Sequence, residues 1–120
     1  MTRSEFESLE LKELVRFLKK AAKETDSNLW LVIADQINKS KRSRLAINLN
    51  RINRFSKDGE TVVVPGKVLG VGALDHPVII GALSFSSEAA RKILESGGKY
   101  HTLQELFAMK QRDSDIKIIG

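Results

Sequence analysis

The chain of 120 residues suits one domain, and its 42% hydrophobic content is enough to bury a core. It has no cysteine, which excludes a disulfide framework and a thiolate metal site, and no apolar run near the ~20 residues that span a bilayer. The net charge of +5 is unevenly placed: seven basic residues lie between Gln36 and Lys57 with no carboxylate among them, which leaves −2 for the rest.

The N-terminal run MTRSEFESLELKELV is charged throughout and lacks the apolar stretch of a signal peptide, so a cytoplasmic protein is expected. Leu11, Leu14, Val15, Leu18 and Ala22 recur at helical spacing. Ser4 with Glu7 forms a capping-box pattern, and Ser8 offers a second N-cap. Asp26-Ser27-Asn28 caps a second helix, with Trp30, Ile33, Ala34 and Ile37 as its apolar stripe. Among such neighbours Trp30 reads as a core anchor in preference to a base-stacking platform.

The basic segment holds Lys39, Lys41, Arg42, Arg44, Arg51, Arg54 and Lys57. A local cationic run is the footprint of a polyanion partner, because each neutralised phosphate releases condensed counterions. The plainer reading is a solvated basic loop. Leu45, Ile47 and Leu49 alternate as in a strand, while Leu45, Leu49, Ile52 and Phe55 fit a helix. A short strand running into a short helix is expected.

After the turn at Lys57-Asp58-Gly59, the β-branched run Thr61–Val64 is the clearest strand in the chain. Pro65-Gly66 is expected to break or bend it, leaving Lys67–Leu69 as a second extended piece closed by Gly70-Val71-Gly72. These glycines do not make a phosphate loop, since the lysine follows the first glycine and strand-like residues follow it. A tight turn with positive φ or close backbone approach is expected at Gly66 and Gly70. Pro77–Leu83 reads as a buried strand.

Ser86 caps a helix carrying Ala89, Ala90, Ile93 and Leu94, stopped by Gly97-Gly98. Lys99–His101 is a short strand, Thr102 to Glu105 a capping box opening a helix, and Ile116–Ile119 a last strand. Two N-terminal helices (1–38) therefore precede an α/β body (39–120), all within a single domain.

Catalytic patterns are sparse. His76 and His101 stand in no metal-ligand spacing, and no serine sits in G-x-S-x-G. His76, between Asp75 and Pro77, suits a turn role, with a small hydrolase using Asp75 and His76 as the enzymatic alternative.

The run Ser40–Arg44 leading into Ile47-Asn48-Leu49-Asn50-Arg51-Ile52-Asn53-Arg54 resembles the signature of the archaeal and eukaryotic large-subunit ribosomal protein family L-eighteen-e. Val62–Gly70, Leu74–Val78 running on to Phe85-Ser86, Gly97-Gly98 before Lys99, and Ile118-Ile119-Gly120 are similar to the same family, in the same order. Ser40, Leu45 and Ile37 depart from its usual proline, small residue and leucine. The chain has the length of archaeal members, without the long basic extensions of eukaryotic ones. The resemblance implies a fold shared with the bacterial fifteen family, an irregular β-β-α superhelical body. It implies a structural role in the large subunit in the cytoplasm, with large-subunit ribosomal RNA and neighbouring large-subunit proteins as partners. No cofactor, metal, small-molecule substrate, membrane contact or catalysis is implied. Lys39, Lys41, Arg42, Arg44, Arg51, Arg54, Lys57 and Lys67 are the expected phosphate contacts. Asn48 either donates to a phosphate or 2′-OH, or bonds its own local backbone. A free-standing RNA- or DNA-binding module outside the ribosome is the alternative.

Overall fold

A computed structural model of the chain describes residues 3–39 and 46–120, with side chains of the first helix from Leu9 onward. The chain forms two compact units, Met1–Ser43 and Arg44–Gly120. The first is a pair of helices, α1 (Arg3–Thr25) and α2 (Asn28–Lys39). Val15, Leu18, Ala21 and Ala22 of α1, and Trp30, Ile33, Ala34 and Ile37 of α2, are its buried stripe, so Trp30 is a core residue. Ser27 caps α2 by accepting from the Trp30 N–H at 3.3 Å. Among the described residues α1 runs from Arg3, so the Ser4 and Ser8 positions lie within the helical span.

The second unit is built on a five-stranded sheet in which every pairing is parallel. In chain order it contains β1 (Ala46–Asn48), α3 (Leu49–Phe55), β2 (Thr61–Leu69), β3 (Ile79–Phe85), α4 (Ser87–Glu95), β4 (Lys99–Thr102), α5 (Leu103–Ala108) and β5 (Ile116–Ile118). The expected mixed α/β body after two helices is therefore present, with one long β2 where two shorter strands were expected. β2 is central: β3 lies on one edge, while β1 and β5 share the other, at opposite ends of the strand. Thr61 to Gly66 are all buried, the continuous apolar run that a parallel strand covered on both faces requires. Leu49 and Ile52 of α3 and Ala89 and Ile93 of α4 join Val62, Val64, Val68, Ile80 and Ala82 in one core cluster. Leu106 of α5 packs closely against Gly81 of β3.

Pro65-Gly66 does not end the strand. β2 runs through it, and Val64 to Val68 opposes only Ala82 to Phe85 of β3, a bulge of one extra residue. Proline cannot donate to a ladder, so within a central strand it is accommodated at such a bulge. The loop that follows is where glycine matters most. Gly66 and Gly70 do not have positive φ, whereas Gly72 does, at +95°. Gly70 is required for a different reason: a Cβ there would come within 2.8 Å of Glu88 and 2.9 Å of the Ala89 nitrogen, at the start of α4. Lys92 ties the loop down, donating to the carbonyls of Gly70 at 2.7 Å and Gly72 at 2.9 Å.

Ser86 caps α4 through the Ala89 N–H, and Thr102 with Glu105 forms a complete capping box on α5. The Thr102 backbone N–H, followed by the Thr102 hydroxyl, holds the Glu105 carboxyl below its ordinary value of 4.5. Glu60 is lowered in the same direction, first by the Lys57 backbone N–H. A carboxyl whose folded pKa is depressed adds stability above its unfolded pKa and loses it as pH falls through the folded one. Thermal midpoints should therefore decline from about pH 5 to about pH 3, and Glu105→Gln should remove part of that decline. Parallel melting curves for Glu105→Gln and the parent across this range would show that the capping carboxylate contributes nothing.

Candidate RNA interface

The segment after β1 passes directly into α3, and helical spacing sorts its residues. Leu49 and Ile52 turn into the core, leaving Arg51, Arg54 and Phe55 exposed. Beside them lies an open groove of about 660 Å³ lined by Ala46, Ile47, Asn48, Asn50, Arg51, Arg54, Phe55 and Gly120. Gly120 reaches it because β5 pairs with β2 on the same edge as β1. Arg51 Nη2 donates to the Gly120 carbonyl at 3.1 Å. The guanidinium carbons of Arg51 and Arg54 stand 5.6 and 5.9 Å from the Phe55 ring centroid, within cation–π reach. No ion pair between described residues involves Arg51 or Arg54, so their charge is directed to solvent or to a partner.

Three of the nine expected contact residues, Asn48, Arg51 and Arg54, are brought together here. Lys57 is exposed just beyond α3, and its backbone N–H donates to Glu60. Lys67 is exposed on β2, beside Ala46 in the sheet register. Neither lines the groove. Lys39, in the helical unit, pairs with Asp35 at 3.0 Å across one turn of α2. Lys41, Arg42 and Arg44 lie outside the described residues.

Of the local-backbone role considered for Asn48, the helix-cap hydrogen bond is not made among the described residues. Asn48 occupies the N-cap of α3 with φ −83° and ψ 155°, and its Oδ1 is buried without a partner among them. Phe55 and Asn50 are the groove residues that sequence reasoning passed over. The available signal was an aromatic side chain inside a basic run, one turn after Arg51 and adjacent to Arg54.

Asp75, His76 and Ser56 do line up. Asp75 Oδ1 lies 2.8 Å from His76 Nδ1, and His76 Nε2 lies 2.9 Å from Ser56 Oγ. The His76 and Asn53 hydrogen bonds hold the Asp75 carboxyl below its ordinary value of 3.8. The geometry is that of a clasp. Ser56 is buried, and its hydroxyl donates to the Ile52 carbonyl one turn back in α3. A serine nucleophile must present a free Oγ to substrate. Asn53 completes the clasp, accepting from the Asp75 N–H at 3.0 Å and donating to Asp75 Oδ2 at 3.3 Å. The network fastens α3, and hence the groove, to the loop before β3. Among the described residues there is no cluster of three or more metal-ligating side chains, and no helix long and apolar enough to cross a membrane.

Residues 2–119 match the family model described as ribosomal protein 60S L18 and 50S L18e. The chain is 49% identical to the large ribosomal subunit protein eL18 of Sulfolobus acidocaldarius, covering 80% of this chain and 81% of that protein. It is 42% identical to eL18 of Methanothermobacter thermautotrophicus, over 89% and 88% of the two chains. With eL18 of Pyrobaculum aerophilum the identity is 40%, over 92% and 90%.

Proposed function

Because the chain belongs to the family of large-subunit ribosomal proteins 60S L18 and 50S L18e, we propose that it binds large-subunit ribosomal RNA through the α3 groove and the basic segment around it. Its place is then the large ribosomal subunit in the cytoplasm, among neighbouring large-subunit proteins, with a structural role and no catalytic step. The observation that carries this reading is the convergence of Arg51, Arg54 and Asn48 on one open groove, within a segment that holds no carboxylate from residue 36 to residue 57. Arginine suits such a surface because its planar fork meets phosphate oxygens in pairs. Lys57 and Lys67 add point charges that need no fixed geometry. The matching of charge to surface in the body, and not the modest net charge, supports the assignment.

Association with the RNA should be strongly salt-dependent. Neutralising about five phosphates gives a slope of log K against log salt of roughly −3 to −5. A slope near zero would mean that the basic segment does not meet phosphate. A tagged chain should sediment with the large-subunit peak of a sucrose gradient; recovery only at the top of the gradient would favour a free-standing nucleic-acid-binding module.

A further inference from the structure

We propose that the α3 groove takes one unstacked RNA base, its amino-bearing edge read by the Asn48 amide and its face lying against Phe55 and the flanking arginines. The inference rests on the RNA-binding reading above and specifies what the groove recognises.

Asn48 is in the position and backbone conformation in which asparagine ordinarily accepts from a helix N–H. It does not do so, and the Asn50 N–H nearby donates instead to the Val71 carbonyl at 3.1 Å. The cap is thus not taken by Asn48, while its Oδ1 is shielded from solvent and has no donor among the described residues. A buried acceptor in that condition is costly unless something supplies a hydrogen. Phosphate cannot, because its oxygens only accept, and a ribose 2′-OH has a single hydrogen and leaves the amide's two groups unequally served. A base with an amino group beside a ring nitrogen can, giving Oδ1 a donor and Nδ2 an acceptor. On the Watson–Crick and Hoogsteen edges that pattern belongs to adenine and cytosine, and the amide–adenine pair is a frequent form of it.

Phe55 supplies the second half of the site. It is 51% exposed at the groove's rim, which a purely structural aromatic in a small core would avoid. Single-stranded RNA is recognised by bases splayed onto aromatic rings or guanidinium planes, with their edges hydrogen-bonded. Arg51 and Arg54 can serve the stack and the adjoining phosphates together, since both guanidiniums already sit beside the ring.

The test is footprinting of the protein on large-subunit ribosomal RNA from an archaeon. Hydroxyl radicals report the backbone, dimethyl sulfate reports adenine N1 and cytosine N3, and diethyl pyrocarbonate reports adenine N7. The wild-type chain should protect a stretch of backbone and, within it, at least one unpaired adenine or cytosine. Asn48→Ala and Phe55→Ala should restore that base's reactivity, by roughly tenfold at matched protein concentration, while the backbone footprint persists. Asn48→Asp, which keeps the side chain's shape but loses its donor, should behave like Asn48→Ala and replaces it should the alanine variant melt early. A persisting backbone footprint with base reactivities unchanged by Asn48→Ala and Phe55→Ala overturns the proposal and leaves the groove to phosphate or ribose alone. Loss of all wild-type footprints would instead overturn RNA binding itself, and the base site with it.

Discussion

Replacing Arg42, Arg44, Arg51 and Arg54 together by glutamine is expected to weaken association with large-subunit ribosomal RNA by more than about a hundredfold, with little loss of fold. Each charge-assisted contact is worth about 1.5–3 kcal/mol, so two effective contacts already suffice for that factor. The salt slope should become shallower by about 3 for four lost charges. The fold should survive because the side chains of Arg51 and Arg54 are exposed. Among the described residues their contacts are one carbonyl hydrogen bond, from Arg51, and the ring of Phe55, from both. The three exposed contacts contribute about 0.5–1 kcal/mol each, which bounds the destabilisation near ~3 kcal/mol. Melting of the free protein and its share in the large-subunit gradient peak decide the matter together. Collapse of the fold with RNA binding intact per folded molecule would make these arginines structural. No change in either would move the interface to another face.

Gly72→Val is expected to be strongly destabilising, costing about 2–6 kcal/mol. Two independent penalties meet there. The residue has φ +95°, which a β-branched side chain adopts only under strain of about 1–3 kcal/mol. Its Cβ would also stand 2.5 Å from the Asn50 Cβ and 2.9 Å from the Asn50 nitrogen and Cα, an overpacking of a further 1–3 kcal/mol or so. Asn50 cannot yield easily, since it opens α3 and its N–H is bonded to Val71. The midpoint should drop by roughly 4–8 °C for each kcal/mol. Val71→Ala, at a neighbour that is 61% exposed, should melt like the parent and serves as the control. Parent-like melting of Gly72→Val would show that the loop can open without cost. Because the same loop positions Asn50 and the start of α3, the variant should also lose RNA association, in proportion to its unfolded fraction.

Much of this protein was legible locally. Val62-Val63-Val64 announced a buried strand, Ser86 and Thr102 announced two helix starts, and Asp26-Ser27-Asn28 announced a third. Each depends on β-branched stiffness or on a side chain bonding an N–H two or three residues ahead, and such interactions lie within a few residues. The charge segregation between Asp35 and Asp58 was equally plain, as was the resemblance carried by ordered motifs along the whole chain.

Whatever depended on neighbours distant in sequence had to await the fold. Pro65-Gly66 reads as a break, yet ladders on both sides of β2 carry the strand through it as a bulge. The glycine that needs a left-handed backbone is Gly72 and not Gly66 or Gly70, because the path of the loop is set by α3 and α4 packing on it from either side. Ser56, Asp75 and His76 become a clasp only when α3 meets the loop before β3. The groove itself joins Arg51 to Gly120 across 69 positions of sequence. Composition and motif order determined the family and the basic segment; the order of parallel strands, which is fixed by crossover connections and not by any local pattern, decided which basic residues stand together and which amide is left without a partner.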